Sequence, residues 1–346
     1  MSDMQQSSQG QQAVPPASQW RRWHLPVLLL FAIGTAFILL RRGAPVPYQH
    51  HEGAVFGTIY HVSYQSRDDL SADIEAALAE VDASLSLFNP GSTLSRVNRG
   101  ELADVASDTL FTNVFRLAQH VSEATDGAFD ITVAPLVNAW GFGSKSGSLP
   151  DSTAVDSLLQ IVGYRRVRLT EAGRLERDDE RVMLDCGAVA KGYGVDVVAA
   201  LLRRRGVVNY MVEIGGEVAV AGHNAKGHLW HVGVSRPVDD PAGTSQELDT
   251  VLQLTDCAMA TSGNYRNYRI TADGRRIAHT IDPATGQPVQ HALLSATVIA
   301  PTCAEADAFA TSFMVMGEER ARRVLEANPH LRAYLITDSA VVRCRM

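Results

Sequence analysis

Leu184-Asp185-Cys186-Gly187-Ala188-Val189-Ala190-Lys191-Gly192-Tyr193-Gly194 reads as a short strand, a glycine turn and the start of a helix near Ala190. The strand expected over Val182–Asp185 delivers a carboxylate to the turn. The helix expected over Val189–Arg205 ends in three arginines and Gly206, which suits the negative end of its dipole. A helix start exposes unpaired N–H groups and attracts anions such as phosphate. Lys191 in the first turn opposes the dipole and gains from an anion there. A solvated surface lysine beside packing glycines accounts for this stretch equally well.

Outward from that unit, strands and helices do not alternate regularly. Val55–Tyr64 alternates as a strand, and Leu70, Ile74, Leu78, Val81 and Leu85 follow at helical spacing. A second helix is written by Leu110, Val114, Leu117, Ala118 and Val121, with Gly127 as its stop. Arg166–Leu169, Val208–Ile214, Trp230–Val234, Thr250–Leu254, Tyr268–Thr271 and Leu294–Ala300 read as strands. Thr302 and Glu305 have capping-box spacing before a helix over Ala306–Met316, which Gly317 stops. The expectation is an α+β fold, one compact domain over 54–346 with mixed or antiparallel sheets and flanking helices. No G-x-G-x-x-G follows a strand, so a dinucleotide-binding doubly wound fold is not indicated.

The amino terminus differs in character. Residues 1–22 are rich in Gln, Ser and Pro and are expected to be disordered. Leu25–Leu40 is an apolar run between Arg21-Arg22 and Arg41-Arg42. With Trp23 and His24 it approaches the roughly 17–20 residues a membrane span needs. A transmembrane signal anchor over 23–42 is expected, since no small-x-small cleavage site is evident after Leu40; a cleaved signal peptide is the alternative. Arginine pairs at both ends leave the orientation open. Residues 43–53, with two prolines, read as a linker.

Composition narrows the class. The 346 residues are 46% hydrophobic and 20% charged, as in a globular protein. A formal net charge of −7 argues against nucleic acid as a partner. Cys186, Cys257, Cys303 and Cys344 lie far apart without zinc spacing and read as free thiols, a disulfide staying open.

Three further stretches carry chemistry. Thr125-Asp126-Gly127-Ala128-Phe129-Asp130-Ile131-Thr132-Val133-Ala134-Pro135-Leu136, followed by Trp140-Gly141-Phe142-Gly143, places an exposed carboxylate and aromatic rings at a helix end. That is a wall for a flat heterocycle or an ordinary packed corner. His279-Thr280-Ile281-Asp282-Pro283-Ala284-Thr285-Gly286 is a tight turn in which Asp282 and Thr285 can accept backbone N–H groups. His279 just ahead of it is held as a general base must be, or as a structural cap. Asp307 and Thr311 lie four apart on one helix face. Their hard oxygens suit Mg²⁺, although such a pair alone is more often solvent-facing.

Together and in order, T-x-G-A-F-D-I-T-V-x-P-L-x-x-x-W-G-F-G, L-D-x-G-A-x-A-K-G-Y, I-G-G-E, T-S-G-x-Y, H-x-I-D-P-x-T-G and A-D-A-x-A-T resemble the ApbE family, the FAD:protein FMN transferases. The resemblance runs from about Phe56 to Gly317 and implies a T-fold-related domain. It implies Mg²⁺-dependent transfer of FMN from FAD, the substrate, to a Thr or Ser of an acceptor protein, with AMP released. Acceptors of the family are respiratory-complex subunits or related flavin carriers. By motif, Phe88, Ala128, Phe129, Asp130, Asp185, Lys191 and Ile281 correspond to FAD-contacting positions. Asp307 and Thr311, with carbonyls of Ala188 and Ala310, correspond to metal ligands. His279 corresponds to the proposed catalytic histidine, with Lys191 near the diphosphate. The resemblance also implies an inner-membrane protein with one span, its N-terminus cytoplasmic and its catalytic domain in the periplasm. No cysteine precedes Cys186, so the lipid anchor of many relatives is not expected. The alternatives are an FAD pyrophosphatase at the same site and a non-enzymatic FAD-binding protein.

Overall fold

A computed structural model of the chain describes residues 26–37, 45–143, 149–238, 247–264, 268–270 and 276–345. It divides into two units, Met1–Pro47 and Tyr48–Met346. In the first, residues 26–37 form a helix, α1. The segment expected to be disordered, and both ends of the expected membrane span, lie outside the described residues. Among the described residues no helix is long and apolar enough to cross a membrane.

The second unit opens with the hairpin Tyr48–Val55 (β1) and Thr58–Gln65 (β2). Helices Ser71–Leu85 (α2), Thr93–Asn98 (α3), Thr109–Ala124 (α4), Ala134–Ala139 (α5) and Ser152–Leu159 (α6) follow. A short hairpin, Val167–Leu169 (β3) and Leu175–Arg177 (β4), precedes Ala190–Arg204 (α7). Next come the hairpins Tyr210–Ile214 (β5) with Glu217–Ala221 (β6), and Trp230–Ser235 (β7) with Leu248–Leu254 (β8). Cys257–Gly263 (β9), Tyr268–Ile270 (β10), Arg276–Ala278 (β11) and Leu293–Ala300 (β12) lead to Cys303–Ala327 (α8). Arg332–Thr337 (β13) and Val341–Cys344 (β14) close the chain's described part.

Eight strands form one sheet in the order β1-β2-β5-β6-β9-β12-β13-β14, antiparallel at every pairing. The fold is therefore α+β, with an antiparallel rather than mixed sheet. The centre of the sheet is covered on both faces. Ala296, Val298 and Ala300 of β12 join one core with Phe309 and Phe313 of α8. Their neighbour Ile299 points the other way, into a second core with Trp230, Val232 and Val234 of β7. Alternation of the backbone pleat sends these residues to opposite faces. Because both faces are buried, β12 (Leu293–Ala300) carries no charged residue and is apolar apart from the buried hydroxyls of Ser295 and Thr297. Each large side chain buried in this way contributes about 1.5–3 kcal/mol.

Four local expectations are corrected. The strand expected over Val55–Tyr64 is broken by a two-residue turn, Phe56 (φ 52°) and Gly57 (φ 74°), and β1 occupies residues assigned to the linker 43–53. Positive φ at both turn residues matches the twist of a hairpin. Val182–Asp185 forms no ladder. Asn98 instead clamps Leu184 through its side-chain amide, donating to the carbonyl and accepting from the N–H at 2.8 Å each. The Asp185 N–H donates to the Ile131 carbonyl at 2.6 Å. The Thr302 side chain does not cap α8. Asp196 of α7 does, accepting the Cys303 and Ala304 N–H groups at 2.8 Å each, while Glu305 accepts from or pairs with His330 Nε2 at 3.0 Å. Gly317 (φ 74°, ψ 174°) breaks the helix as expected, but helix resumes beyond it.

Candidate active site

The site is built where the start of α7 meets the start of α8. Gly192 makes that meeting possible: a Cβ there would lie 2.4 Å from the Cys303 carbonyl oxygen. With the helices this close, the Gly192 N–H donates to Asp307 Oδ2 at 3.1 Å. Lys191 Nζ reaches Glu217 Oε1, at the head of β6, at 2.5 Å. The anions that the helix start calls for are thus supplied by the protein's own carboxylates.

A cleft of two adjoining lobes opens beside this junction. The first, about 430 Å³, is lined by Phe56, Val81, Leu85, Leu87, Phe88, Asn98, Phe142 and Met183 among others. The second, about 270 Å³, is lined by Ala128, Phe129, Asp130, Ile131, Ala188, His279, Ile281, Asp307 and Thr311 among others. Asp185, Gly187, Lys191 and Phe142 border both. The two lobes therefore share one seam, with Lys191 on it.

Charge at the seam is buried. Asp307 is 4% exposed and Glu217 2%. Burial pushes the Asp307 carboxyl up, against the pull of the Lys191 ammonium and the Gly192 N–H. Burial, reinforced by the Asp307 charge, pushes Glu217 up as well, against Lys191. For Lys191 burial acts downward, but Asp307 and Glu217 outweigh it and the ammonium is raised. Two buried carboxylates share one ammonium, so the pocket gains from a further positive charge, whether a proton or a metal cation. Glu217 Oε2 is buried without a hydrogen-bond partner. Thr311 Oγ1 lies 3.1 Å from Ser262 Oγ on β9, so a carboxylate and two hydroxyls, all hard oxygens, gather there. Among the described residues no three His, Cys, Asp or Glu side chains are placed to hold a metal.

Each site residue expected from the sequence now has a position. Ala128, Phe129, Asp130, Asp185, Lys191, Ile281, Ala188, Asp307, Thr311 and His279 border the second lobe together. Phe88 stands on the first, 82% exposed. Ala310 borders neither lobe; it is fully buried in the helix–sheet core. Asp130 is not the exposed carboxylate the sequence suggested. It is 7% exposed and accepts from the Thr132 N–H and hydroxyl at 2.7 Å each, with burial raising its pKa against those bonds. Asp185, half-buried, accepts the Gly187 N–H at 2.7 Å, and burial raises it too.

His279 follows β11 directly, and the Phe142 ring meets it edge-on at 6.3 Å. The turn beyond it forms as expected. Asp282 accepts the Ala284 N–H at 2.9 Å, and Trp140 Nε1 donates to the Gly286 carbonyl at 2.8 Å. That last bond ties the turn to the helix-end motif more than a hundred residues earlier.

The sequence model of the ApbE family matches residues 56–335. The chain belongs to the ApbE family. Among its relatives, the FAD:protein FMN transferase of Vibrio cholerae is 36% identical over 310 residues, covering 86% of this chain and 90% of the relative. That of Haemophilus influenzae is 37% identical over 308 residues, covering 84% and 87%. The solved structure of the flavin transferase ApbE from Vibrio cholerae superposes with a TM-score of 0.77 at 34% identity, over 87% of this chain and 98% of that one. The apo form of the Pseudomonas stutzeri flavinyl transferase ApbE gives 0.73 at 27% identity, over 87% and 97%.

Against this ApbE frame, three side chains escaped assignment from sequence. Glu217 was visible as the last letter of I-G-G-E, but nothing local links it to Lys191. Ser262 lies in T-S-G-x-Y, where its contact with Thr311 crosses from strand to helix. Asn98 carried no signal, because its amide does the work of a missing strand partner.

Proposed function

We propose that this protein is an enzyme that transfers FMN from FAD onto a Ser or Thr hydroxyl of an acceptor protein, releasing AMP, with Mg²⁺ bound at Asp307 and Thr311. The observation that carries this reading is the convergence of four separated motifs, spanning residues 128 to 311, on one lobe of a single cleft. The relatives' shared name, FAD:protein FMN transferase, supports the reaction class.

The donor set fits the cation. Asp307 and Thr311 offer hard oxygens beside a buried anionic pocket, and the Ala188 backbone borders the same lobe. Mg²⁺ takes few protein ligands and completes its shell with water and phosphate. When bound it would offset the charge that spreads over phosphate oxygens as the diphosphate is split. The first lobe, apolar and headed by the exposed Phe88 ring, suits the flavin. Lys191, on the seam, suits the diphosphate. In the transfer, the acceptor oxygen bonds to the FMN-side phosphorus and the bond from that phosphorus to the AMP oxygen breaks. His279, which borders the same lobe as Asp307, takes the hydroxyl proton.

The amino-terminal segment belongs to this proposal too. A span over 23–42, built on the apolar run Leu25–Leu40, would anchor the chain in a bacterial inner membrane by a single pass. The catalytic unit would then face the periplasm, where a respiratory-complex subunit or flavin carrier is the acceptor.

The test incubates the purified full-length protein with FAD, Mg²⁺ and candidate acceptors and weighs the acceptors by mass spectrometry. FMN-sized mass on a Ser or Thr is expected, lost with chelator and lost in Asp307→Ala and His279→Ala. FMN freed in solution, with every acceptor unmodified, would replace transfer by hydrolysis. Full modification by either variant would remove that residue's role.

A further inference from the structure

Lys191 and Glu217 form one ion pair but stand in different places. The lysine borders both lobes of the cleft; the glutamate borders neither. The lysine side chain is 31% exposed and the glutamate side chain 3%, with 2.5 Å between Nζ and Oε1. Glu217 therefore meets the ammonium from behind the wall, through the floor made by the head of β6.

A lysine ammonium is a compact charge on a flexible four-carbon stem, and a site gains from it only where that stem is held. Two anions could hold this one. Asp307 already accepts the Gly192 N–H, and it borders the lobe where a cation would draw on it. Glu217 Oε2 has no hydrogen-bond partner, and the side chain borders neither lobe of the cleft. We infer that Glu217 is the positioning residue of Lys191: it pins the ammonium at the seam of the two lobes, so that the remaining N–H groups face the diphosphate of a bound dinucleotide. The kinetic part of this inference rests on the transfer reading above; its geometric part does not.

The experiment compares the full-length wild type with Glu217→Gln, which keeps the shape and removes the charge. Residue-resolved acetylation with acetic anhydride, read by mass spectrometry, reports whether the amine is held. Lys191 is expected to react faster in the variant; an unchanged rate overturns the inference. In flavin transfer, a misplaced group lowers kcat, here by at least about tenfold, while the KM for FAD changes far less. Loss confined to KM, or no loss, overturns it. In a Lys191→Met background the same change should cost no further kcat, whereas a merely structural glutamate would cost the same in both backgrounds. Should Lys191→Met, which leaves two buried carboxylates facing each other, fail to fold, the first two readouts decide. Should Glu217→Gln fail to fold, Glu217→Asp, which withdraws the oxygen by one methylene, is read in the same way. A wild type that labels no acceptor refutes the transfer reading and leaves acetylation to decide this one.

Discussion

Gly192 and Cys303 are in backbone contact: a Cβ on the glycine would sit 2.4 Å from the Cys303 carbonyl oxygen and 2.9 Å from the Ala304 Cα. Neither neighbour is a flexible side chain that could swing aside. Gly192→Ala must therefore push the starts of α7 and α8 apart. Overpacking of this kind costs about 1–3 kcal/mol, less the small helix-propensity gain of alanine. Thermal unfolding should show a lower Tm. Activity should fall further than stability, because the same shift parts Asp307 from the Gly192 N–H. A variant as stable and active as the wild type would refute the tight junction.

The start of α8 offers a second discriminating pair. Asp196 accepts two of its orphan N–H groups, while the Thr302 side chain accepts none. Asp196→Ala leaves both donors buried without partners and should cost about 1–3 kcal/mol in urea unfolding. Thr302→Ala should stay within about 0.5 kcal/mol. The reverse ranking would mean that the capping box of the sequence forms after all.

That contrast indicates what sequence can and cannot reveal here. Thr302 and Glu305 have the right spacing for a cap, but the helix packs against α7, and a carboxylate from that helix arrives first. Local pattern loses to tertiary contact. The same holds for Val182–Asp185, whose apolar pattern promised a strand. Asn98 and Ile131 satisfy its backbone instead, a bond pattern no window of sequence contains. By contrast α2, α4 and α7 follow their 3.6-residue period closely, since each buries one stripe: α2 against α7, α4 against α8, and α7 against α8 and the β5–β6 hairpin. The eight-strand order was not legible, because β9, β13 and β14 carry short apolar runs without a telling turn. The site was legible through its motifs, and their convergence was not. Lys191 and Glu217 are joined by a hairpin turn and a helix start, and only the fold puts 2.5 Å between them.

The four cysteines are all free thiols. Cys186 and Cys303 are buried, and burial raises both thiols, beside Asp185 and Asp196 respectively. Cys257 and Cys344 are partly exposed. Since the thiolate is the reactive species and access is needed as well, iodoacetamide at mild alkaline pH should modify Cys344 in the native protein, and Cys257, whose thiol burial also raises, more slowly. Cys186 and Cys303 should react only after unfolding. Peptide mapping of the alkylated protein reads this directly, and rapid native labelling of Cys186 would contradict the packing of the turn that carries it.

Phe88 separates binding from folding. Its ring is 82% exposed at the first lobe, so it contributes little to the core. An exposed aromatic beside an apolar cleft is a surface awaiting a flat partner. Phe88→Ala should leave the unfolding free energy within about 0.5 kcal/mol of wild type. Stacking on a flavin contributes about 0.5–1.5 kcal/mol beyond the area it buries, so the dissociation constant for FAD should rise by about tenfold. Phe88→Tyr keeps the ring and should bind as the wild type does. Quenching of flavin fluorescence measures all three proteins on one scale. Equal affinity in Phe88→Ala would move the flavin away from the first lobe.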